Sequence, residues 1–495
     1  MKKNIFTSIQ LKKPKKNSFD LSHDVKLTAQ MGNLTPILTL ECVPGDKFNL
    51  GCESLIRFAP MVAPVMHRMD VSMHYFFVPN RILWNNWEKF ITDANSGITA
   101  PYILAARGHS ADVKKFMDYM GVPPNNTTSY NFEPVNALPF AAYQAIYNEY
   151  YRDQNLIAPV NYKLTDGDNH INGSLYKMQK RAWEHDYFTS SLPFAQKGAA
   201  VDIPLGTISG MAEVQINANT DVDLTGTPFN VNVDQQVTPG VEANKLYANT
   251  NGLQTSSTTI NDLRRAYRLQ EWLEKNARGG TRYVESILSH FGVKSSDARL
   301  QRPEYITGVK TPVIVSEVLN TTGQTTGLPQ GNMAGHGVSV SSGKSGSYYC
   351  EEHGYIIGIM SVMPTTAYQQ GIPRTYLKKD TLDYFWPTFA NIGEQEVQNQ
   401  ELFAYTNTSA QTFGYVPRYA EYKYMPSRVA GDFRTTLDYW HLGRIFQNQP
   451  SLNETFIECS PSQTTRIFAV EDGTDPLYCH VYNKIQALRP MPKFG

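Results

Sequence analysis

Apolar residues recur at every second position in several stretches of the chain. In DVSMHYFFV (70–78), Val71, Met73, Tyr75 and Phe77 alternate with Ser72 and His74, a period of two that predicts a strand with one buried face. The same alternation marks Val25/Leu27/Ala29, Phe229/Val231/Val233, Val313/Val315 and Val338/Val340. YIIGIMSVM (355–363) is instead apolar almost throughout, which predicts a central strand covered on both faces. Gly, Pro and Asn punctuate these runs at VPGDKF (43–48), at GVPPNN (121–126) and along 321–346. Three helical stretches interrupt them, at 84–91, 137–152 and 262–277. The third is the best signalled. Thr259 and Asp262 suit a capping box, Glu271 and Lys275 stand at i, i+4, Leu263, Tyr267 and Leu273 mark an apolar side, and Gly279-Gly280 supplies the stop. With no regular β-α-β alternation, the pattern points to an antiparallel sandwich or barrel.

At 495 residues the chain is long enough for two to four domains, or for one large β domain carrying long insertions. Charged residues are only 18% and aromatics reach 12%, where about 25% charge is usual. Two surfaces fit that balance: one buried against partners, and one of a monomer coated with uncharged Asn, Thr, Gln and Ser. Five cysteines with no C-x-x-C pair signal neither a disulfide framework nor a four-thiolate zinc site, and favour a reducing compartment. The 355–363 run is about half the length of a membrane span, and the lysine-studded N-terminus lacks the apolar stretch of a secretion signal, so a soluble, unexported chain is expected.

The equal numbers of acids and bases, 45 each, conceal an uneven distribution. MKKNIFTSIQLKKPKK carries Lys2, Lys3, Lys12, Lys13, Lys15 and Lys16, and no acid appears before Asp20. Removing those six leaves 39 basic residues against 45 acidic, a net charge of −6. A basic arm on a mildly acidic body suits a tail that touches phosphate, although a solvated terminus that aids solubility has the same composition. The segment 204–259 is rich in Thr, Asn, Val and Gly and holds one basic residue, Lys245. It reads as an inserted, β-rich projecting module, or as a large loop packed on the body.

Catalytic signatures are near misses. In the run from Gly337 to Ser345, five residues separate the glycines where a phosphate loop requires four. Asp166-Gly167-Asp168-Asn169-His170 starts like a calcium loop, yet Ile171 takes the place of the turn glycine and Lys177 that of the bidentate Glu. Glu184-His185-Asp186 is the nearest approach to a metal cluster among eleven histidines. An enzyme survives only as a carboxylate pair joined in space, which leaves no spacing in sequence. No catalytic residue, cofactor or metal ligand is therefore expected. GYVPRYAEYKYMPSR (414–428) interleaves Tyr415, Tyr419, Tyr422 and Tyr424 with Arg418, Lys423 and Arg428, a composition that suits either single-stranded nucleic acid or packing between subunits.

The sequence resembles the major capsid proteins of gokushoviruses, small single-stranded DNA bacteriophages of the Microviridae. The resemblance runs through FDLSHDVKLTAQMGNLTPILTLECVPGDKF (19–48), RFAPMVAPVMHRMDVSMHYFFVPNRILW (57–84), EEHGYIIGIMSVMPTTAYQQGIP (351–373), WPTFANIGEQEVQNQELF (386–403), GYVPRYAEYKYMPSRVAGDFR (414–434) and a tail, ALRPMPKFG. The segment 204–259 and the stretch near 160–180 lie outside it. The resemblance implies an eight-stranded antiparallel jelly roll with large insertions that contain a few helices. Copies would form a T=1 icosahedral shell around a circular single-stranded DNA genome, assembled in the bacterial host cytoplasm. It implies an interior arm over 1–19, a body over 20–495, and a protrusion at the threefold axis, for which 204–259 is the candidate. Lys2, Lys3, Lys12, Lys13, Lys15, Lys16, Arg418, Lys423 and Arg428 are the candidate DNA contacts. Scaffolding, DNA-binding and pilot proteins and a host-cell receptor are the further partners it suggests. The alternatives from the residues alone are a β-sandwich glycan-active enzyme and a lectin-like adhesin.

Overall fold

The computed structural model describes residues 14–104, 109–123, 134–202, 208–209, 213–216, 246–249, 254–255, 259–321, 330–343, 345–406, 411–470 and 473–494. The chain divides into two compact units, one of Met1–Ala195 with Asn276–Gly495 and one of Gln196–Lys275.

The larger unit is built on two antiparallel sheets. In chain order its main strands are β1 (Asn17–Asp20), β2 (His23–Ala29), β3 (Thr35–Cys42), β4 (Lys47–Phe58), β5 (Met69–Pro79), β6 (Glu304–Pro312), β7 (Ile314–Leu319), β8 (Met333–Ser342), β9 (Gly346–Tyr349), β10 (Gly354–Pro364), β11 (Glu394–Gln398), β12 (Thr412–Pro417) and β13 (Leu477–Arg489). One sheet runs β1-β13-β4-β8-β7, with β2 also on β13 and β9 also on β4; the other runs β6-β5-β10-β3. β11 and β12 form a separate ribbon.

Between the two sheets lies a core of Phe48, Leu50 and Ile56 from β4, Val71, Met73, Tyr75 and Phe77 from β5, Ile356, Met360 and Val362 from β10, and Val481 and Ile485 from β13. One polar tie crosses it: the Tyr75 hydroxyl donates to Asn483 Oδ1 at 2.8 Å, and Asn483 Nδ2 donates to the Ile37 carbonyl at 2.9 Å.

The strand predicted at 70–78 is present, but both of its faces are buried. Phe76 and Val78 join a second core with Tyr355, Ile357 and Ile359 of β10 under the helix α2 (Leu138–Ile146). A helix laid across the outer face of the β6-β5-β10-β3 sheet removes that face from water, so Ser72 is buried and His74 half-buried although both are polar. The all-apolar β10 lies between β5 and β3 and is buried along its whole length, as the unbroken apolar run predicts.

The phase of β8 is the reverse of the expected one. Its buried positions are Gly335, Gly337, Ser339 and Ser341, whereas Val340 is 66% exposed. Close approach explains the reversal. A Cβ on Gly335 would meet the Ala63 carbonyl oxygen at 2.5 Å, and one on Gly337 would meet Met61 and Phe58 at 2.9 Å, so only small residues fit that side. Phe229, Val231 and Val233 lie outside the described residues.

The first predicted helix is two short turns, Asn80–Leu83 and Trp87–Thr92, separated at Trp84. The second is α2 continued by a π-helical turn, Tyr147–Tyr151. Two further helices lie outside the three predicted stretches: α1 (Ala111–Tyr119), capped by the Ser110 side chain, and α4 (Tyr283–Phe291).

In the smaller unit, two short antiparallel ribbons pair Glu213–Ile216 with Leu246–Asn249 and Ile208–Ser209 with Gln254–Thr255. The helix α3 (Ile260–Arg278) starts in this unit with the predicted box: Thr259 Oγ1 donates to Asp262 Oδ2 at 2.6 Å, and the Asp262 amide donates to Thr259 Oγ1 at 3.2 Å. Arg268 and Glu271 form an i, i+3 ion pair on it at 2.6 Å.

Candidate nucleic-acid interface

The root of the basic arm is fastened to the turn between β3 and β4. Gly45 holds φ +93 there, and Asp46 closes the turn through the Val43 amide. Asp46 is fully buried and pairs with Arg489 at the end of β13 at 2.8 Å. Lys16 donates to the Gly45 carbonyl at 2.5 Å and faces the Tyr349 ring at 5.1 Å, while β1 begins at Asn17 opposite Arg489. Lys15 is exposed. Lys2, Lys3, Lys12 and Lys13 lie outside the described residues. Lys16 thus anchors the arm, and Lys15 stands open to an anion.

The 414–428 stretch is not one continuous strand. β12 ends at Pro417, and a 3-10 turn at Ala420–Tyr422 follows. Tyr419 between them takes the left-handed conformation at φ +62, which costs a non-glycine residue free energy and persists only where the surroundings hold it. Here they do: its amide donates to Gln395 Oε1 at 2.9 Å, its hydroxyl donates to the Tyr384 carbonyl at 3.3 Å, and its ring is buried against Phe385 at 5.0 Å. Tyr419 is therefore closed to a nucleobase.

The cations of this stretch divide. Arg418 is half-buried, with its guanidinium 5.1 Å from the Tyr419 ring and 5.9 Å from that of Phe389. Lys423 and Arg428 are exposed. None of the three has a carboxylate within ion-pair distance among the described residues.

A further cation, Lys378, is buried beside this stretch, and no local spacing in the sequence marks it. Lys378 Nζ sits 3.0 Å from Glu421 and 3.9 Å above the Tyr422 ring, with its side chain only 4% exposed. Burial works against both charges. Hydrogen bonds that Lys378 donates to Tyr422 and Glu421 nonetheless hold its ammonium above its usual range, and the Gln395 amide and Lys378 hold the Glu421 carboxyl below its own. The residues that build this surface come from 374–392 and 395–425, too far apart in sequence for any local spacing to show it.

The near-miss motifs resolve as structure. The Gly337–Ser345 run lies in β8 and the turn that leads to β9, with no helix after it. Asp166 accepts from Trp84 Nε1 at 2.8 Å and from the Asn86 amide, and Gly167 turns at φ +71. Asp186 accepts from the amides of Phe188 and Thr189 and from the Tyr368 hydroxyl at 2.6 Å, while Glu184 pairs with Lys310. Among the described residues, no three His, Cys, Asp or Glu side chains gather as a metal site, and all five cysteines are buried and unpaired.

A family described as capsid protein (F protein) matches residues 7–495. The chain belongs to this phage capsid protein family. It is similar to the capsid protein VP1 of Bdellovibrio phage phiMH2K, 38% identical over 97% of this chain and 95% of the relative. It is also similar to the capsid proteins VP1 of Chlamydia phage 1, 34% identical over 100% and 97% of the two chains, and of Spiroplasma virus 4, 31% identical over 97% and 94%. The protein is thus a structural component of a virion and not an enzyme, and its copies assemble into a capsid. The glycan-active and lectin-like alternatives are set aside by these matches. Among the described residues, no helix is long and apolar enough to cross a membrane.

Proposed function

We propose that the chain is the tile of a T=1 icosahedral shell that encloses a circular single-stranded DNA genome, with an eight-stranded jelly roll as its rigid part. The strand order carries this reading. β2, β13, β4 and β8 adjoin in one sheet and β3, β10, β5 and β6 in the other, so the chain crosses between sheets at nearly every connection, as a jelly roll requires. The lysine arm over 1–19 would neutralise packaged phosphate, with Arg428 as a further contact, Arg418 engaged in stacking and Lys423 on the aromatic face beside it. The compact unit Gln196–Lys275 brackets 204–259 and supports reading that insertion as the surface protrusion at the threefold axis. Assembly in the host cytoplasm, with scaffolding, DNA-binding and pilot proteins, and recognition of a host-cell receptor complete the proposal.

Sedimentation of the purified protein with and without circular single-stranded DNA, at two salt concentrations, tests it. A uniform large species, or subassemblies that grow with DNA and shrink with salt, is the expected result. A monomer indifferent to DNA, even with the phage's other proteins co-expressed, would sink the reading. Six arm lysines on single-stranded DNA correspond to a log–log salt slope of about −4. Deleting residues 2–16 should lower DNA retention and flatten that slope while the fold melts unchanged.

A further inference from the structure

We infer that the aromatic face built from residues 374–392 and 418–425 is a contact between copies of this chain in the shell, and not a surface for nucleic acid. The inference rests on the assembly proposed above and names one of its contact surfaces. Tyr376, Tyr384, Phe385, Trp386, Tyr422 and Met425 all stand open on this side of the chain, Met425 at 87% and Tyr376 at 75% exposure. Tyr384, Phe385 and Tyr422 form one cluster: Phe385 and Tyr422 have ring centroids 6.1 Å apart, and Lys378 lies between the rings of Tyr384 and Tyr422. Trp386 follows Phe385 with its amide on the Tyr419 hydroxyl at 3.3 Å, and Tyr376 and Met425 stand two and three residues from Lys378 and Tyr422 in the chain.

Two observations select the occupant. The first is charge. A phosphate backbone requires free cations, yet Lys378 is consumed by Glu421 and Arg374 by Glu401 at 3.0 Å, which leaves the exposed Lys379 and Lys423 and the half-buried Arg418, set against the exposed Asp380 and Asp383. Internal pairing of charge beside open aromatic rings and methionine is the composition of the centre of a protein–protein interface. The second is area. An aromatic side chain carries about 150–250 Å², so five rings roughly half open offer on the order of 500 Å². With Leu382, Ile392 and Met425, also exposed, the patch approaches the roughly 800 Å² that each partner brings to a standard interface. A second copy is the partner that a capsid protein meets at a fixed stoichiometry on every subunit. The face is also stiff before it binds: Tyr419, held left-handed beneath it, and the buried Lys378–Glu421 pair fix the rings in place, so little ordering is lost on contact.

Hydroxyl-radical footprinting read by mass spectrometry on Met425, Trp386 and Tyr376 tests this in three samples: dissociated subunits, empty shells and DNA-filled shells. Side chains at the centre of a packed interface are excluded from water, so oxidation about tenfold slower in both kinds of shell than in free subunits is expected. Protection confined to filled shells would assign the face to DNA and overturn the inference, as would oxidation at the same rate in all three samples. The Trp386→Ser, Tyr376→Ser double variant should melt like the parent yet sediment as subunits. Shells from that variant at parental yield would overturn the contact while leaving the assembly reading intact. Failure of the parent itself to form shells would overturn both.

Discussion

The double sheet and the stretch 365–470 solve one problem, where buried backbone groups find their hydrogen-bond partners, in two different ways. In the sheets each strand pairs with its neighbours, and the side chains are left to fill the cores. Over 365–470 the β11–β12 ribbon is the main ladder, and short 3-10 turns dominate the rest. There arginine side chains take over. Arg466 alone donates to the carbonyls of Asp438, Gln463, His441 and Gly443 at 2.7–3.0 Å, Arg444 donates to that of Phe456 at 2.6 Å, and Arg374 to that of Glu396 at 2.5 Å. A planar guanidinium with five donors in a fixed fork reaches more loop oxygens at once than the three donors of a lysine ammonium. The lesson is that low overall charge does not make the charged residues decorative: in the loops they are the framework.

The sharpest way to break this comparison is Arg466→Ala. Burial already disfavours the charge on Arg466, so its guanidinium is retained there against a desolvation cost. Its removal strips the side-chain donor from four carbonyls at once, of which that of Asp438 keeps the His441 amide at 3.5 Å, and a loss of about 3 kcal/mol or more in unfolding free energy is expected, with Arg466→Lys recovering only part of it. Denaturant unfolding with both variants checks this. A loss below about 1 kcal/mol would mean that water replaces the guanidinium and that the loops do not depend on it.

The matching cut in the double sheet is Tyr75→Phe. The substitution keeps the ring but leaves Asn483 Oδ1 buried without its donor, at an expected cost of about 1–3 kcal/mol. Asn483 itself still holds the Ile37 carbonyl, so the sheets stay joined. Thermal melts should place this variant between the parent and Arg466→Ala; a Tyr75→Phe loss as large as that of Arg466→Ala would erase the distinction between ladder-built and side-chain-built regions.

How far each region could be read in advance follows the same division. The period of two in 70–78 and the unbroken apolar run at 355–363 are local properties, and both strands are where the sequence puts them. Whether β5 is covered once or twice depends on a helix some 60 residues further on, so its second buried face shows in the sequence only as Phe76 and Val78, while Ser72 and His74 on that face read as solvent-facing. The Lys378–Glu421 pair and the four carbonyls around Arg466 have no period at all, because turns bring them together. The basic-aromatic composition of 414–428 was legible, but which rings and cations remain open depends on the left-handed turn at Tyr419.

Titration sharpens the contrast further. Burial depresses His67 and His74 from 6.5 to about 4, so both are neutral in the fold at neutral pH. Groups with depressed folded values lose their contribution as pH falls: the stability is present above 6.5, where the unfolded histidine is also neutral, and declines through the window down to about 4. Each should contribute up to about 3 kcal/mol to that decline. His67 Nε2 donates to the Thr365 carbonyl at 2.7 Å, where the loops leave β10, and His74 meets the Tyr151 hydroxyl at 2.8 Å on the outer face of β5. Melting from pH 7 to pH 4 should show a slope that His67→Gln and His74→Gln each reduce. A slope unchanged in both variants would place the acid sensitivity elsewhere.

The smallest effect probes the strand whose phase was inverted. Val340 points outward from β8, and Ser339, 1% exposed, points inward with its hydroxyl donating to the Pro312 carbonyl at 3.1 Å. Val340→Thr keeps the β-branched shape that suits a strand and adds a hydroxyl that water can reach, so a change within about 0.5 kcal/mol is expected. Ser339→Val should cost more, since it removes the donor to Pro312 and adds volume to a side that Gly335 and Gly337 keep narrow. An apolar residue that can be exchanged freely beside a polar one that cannot is the reverse of what the Val338/Val340 alternation suggests. The opposite ranking in a paired melt would mean that β8 is one residue out of register, because a slip of one position moves every side chain to the other face.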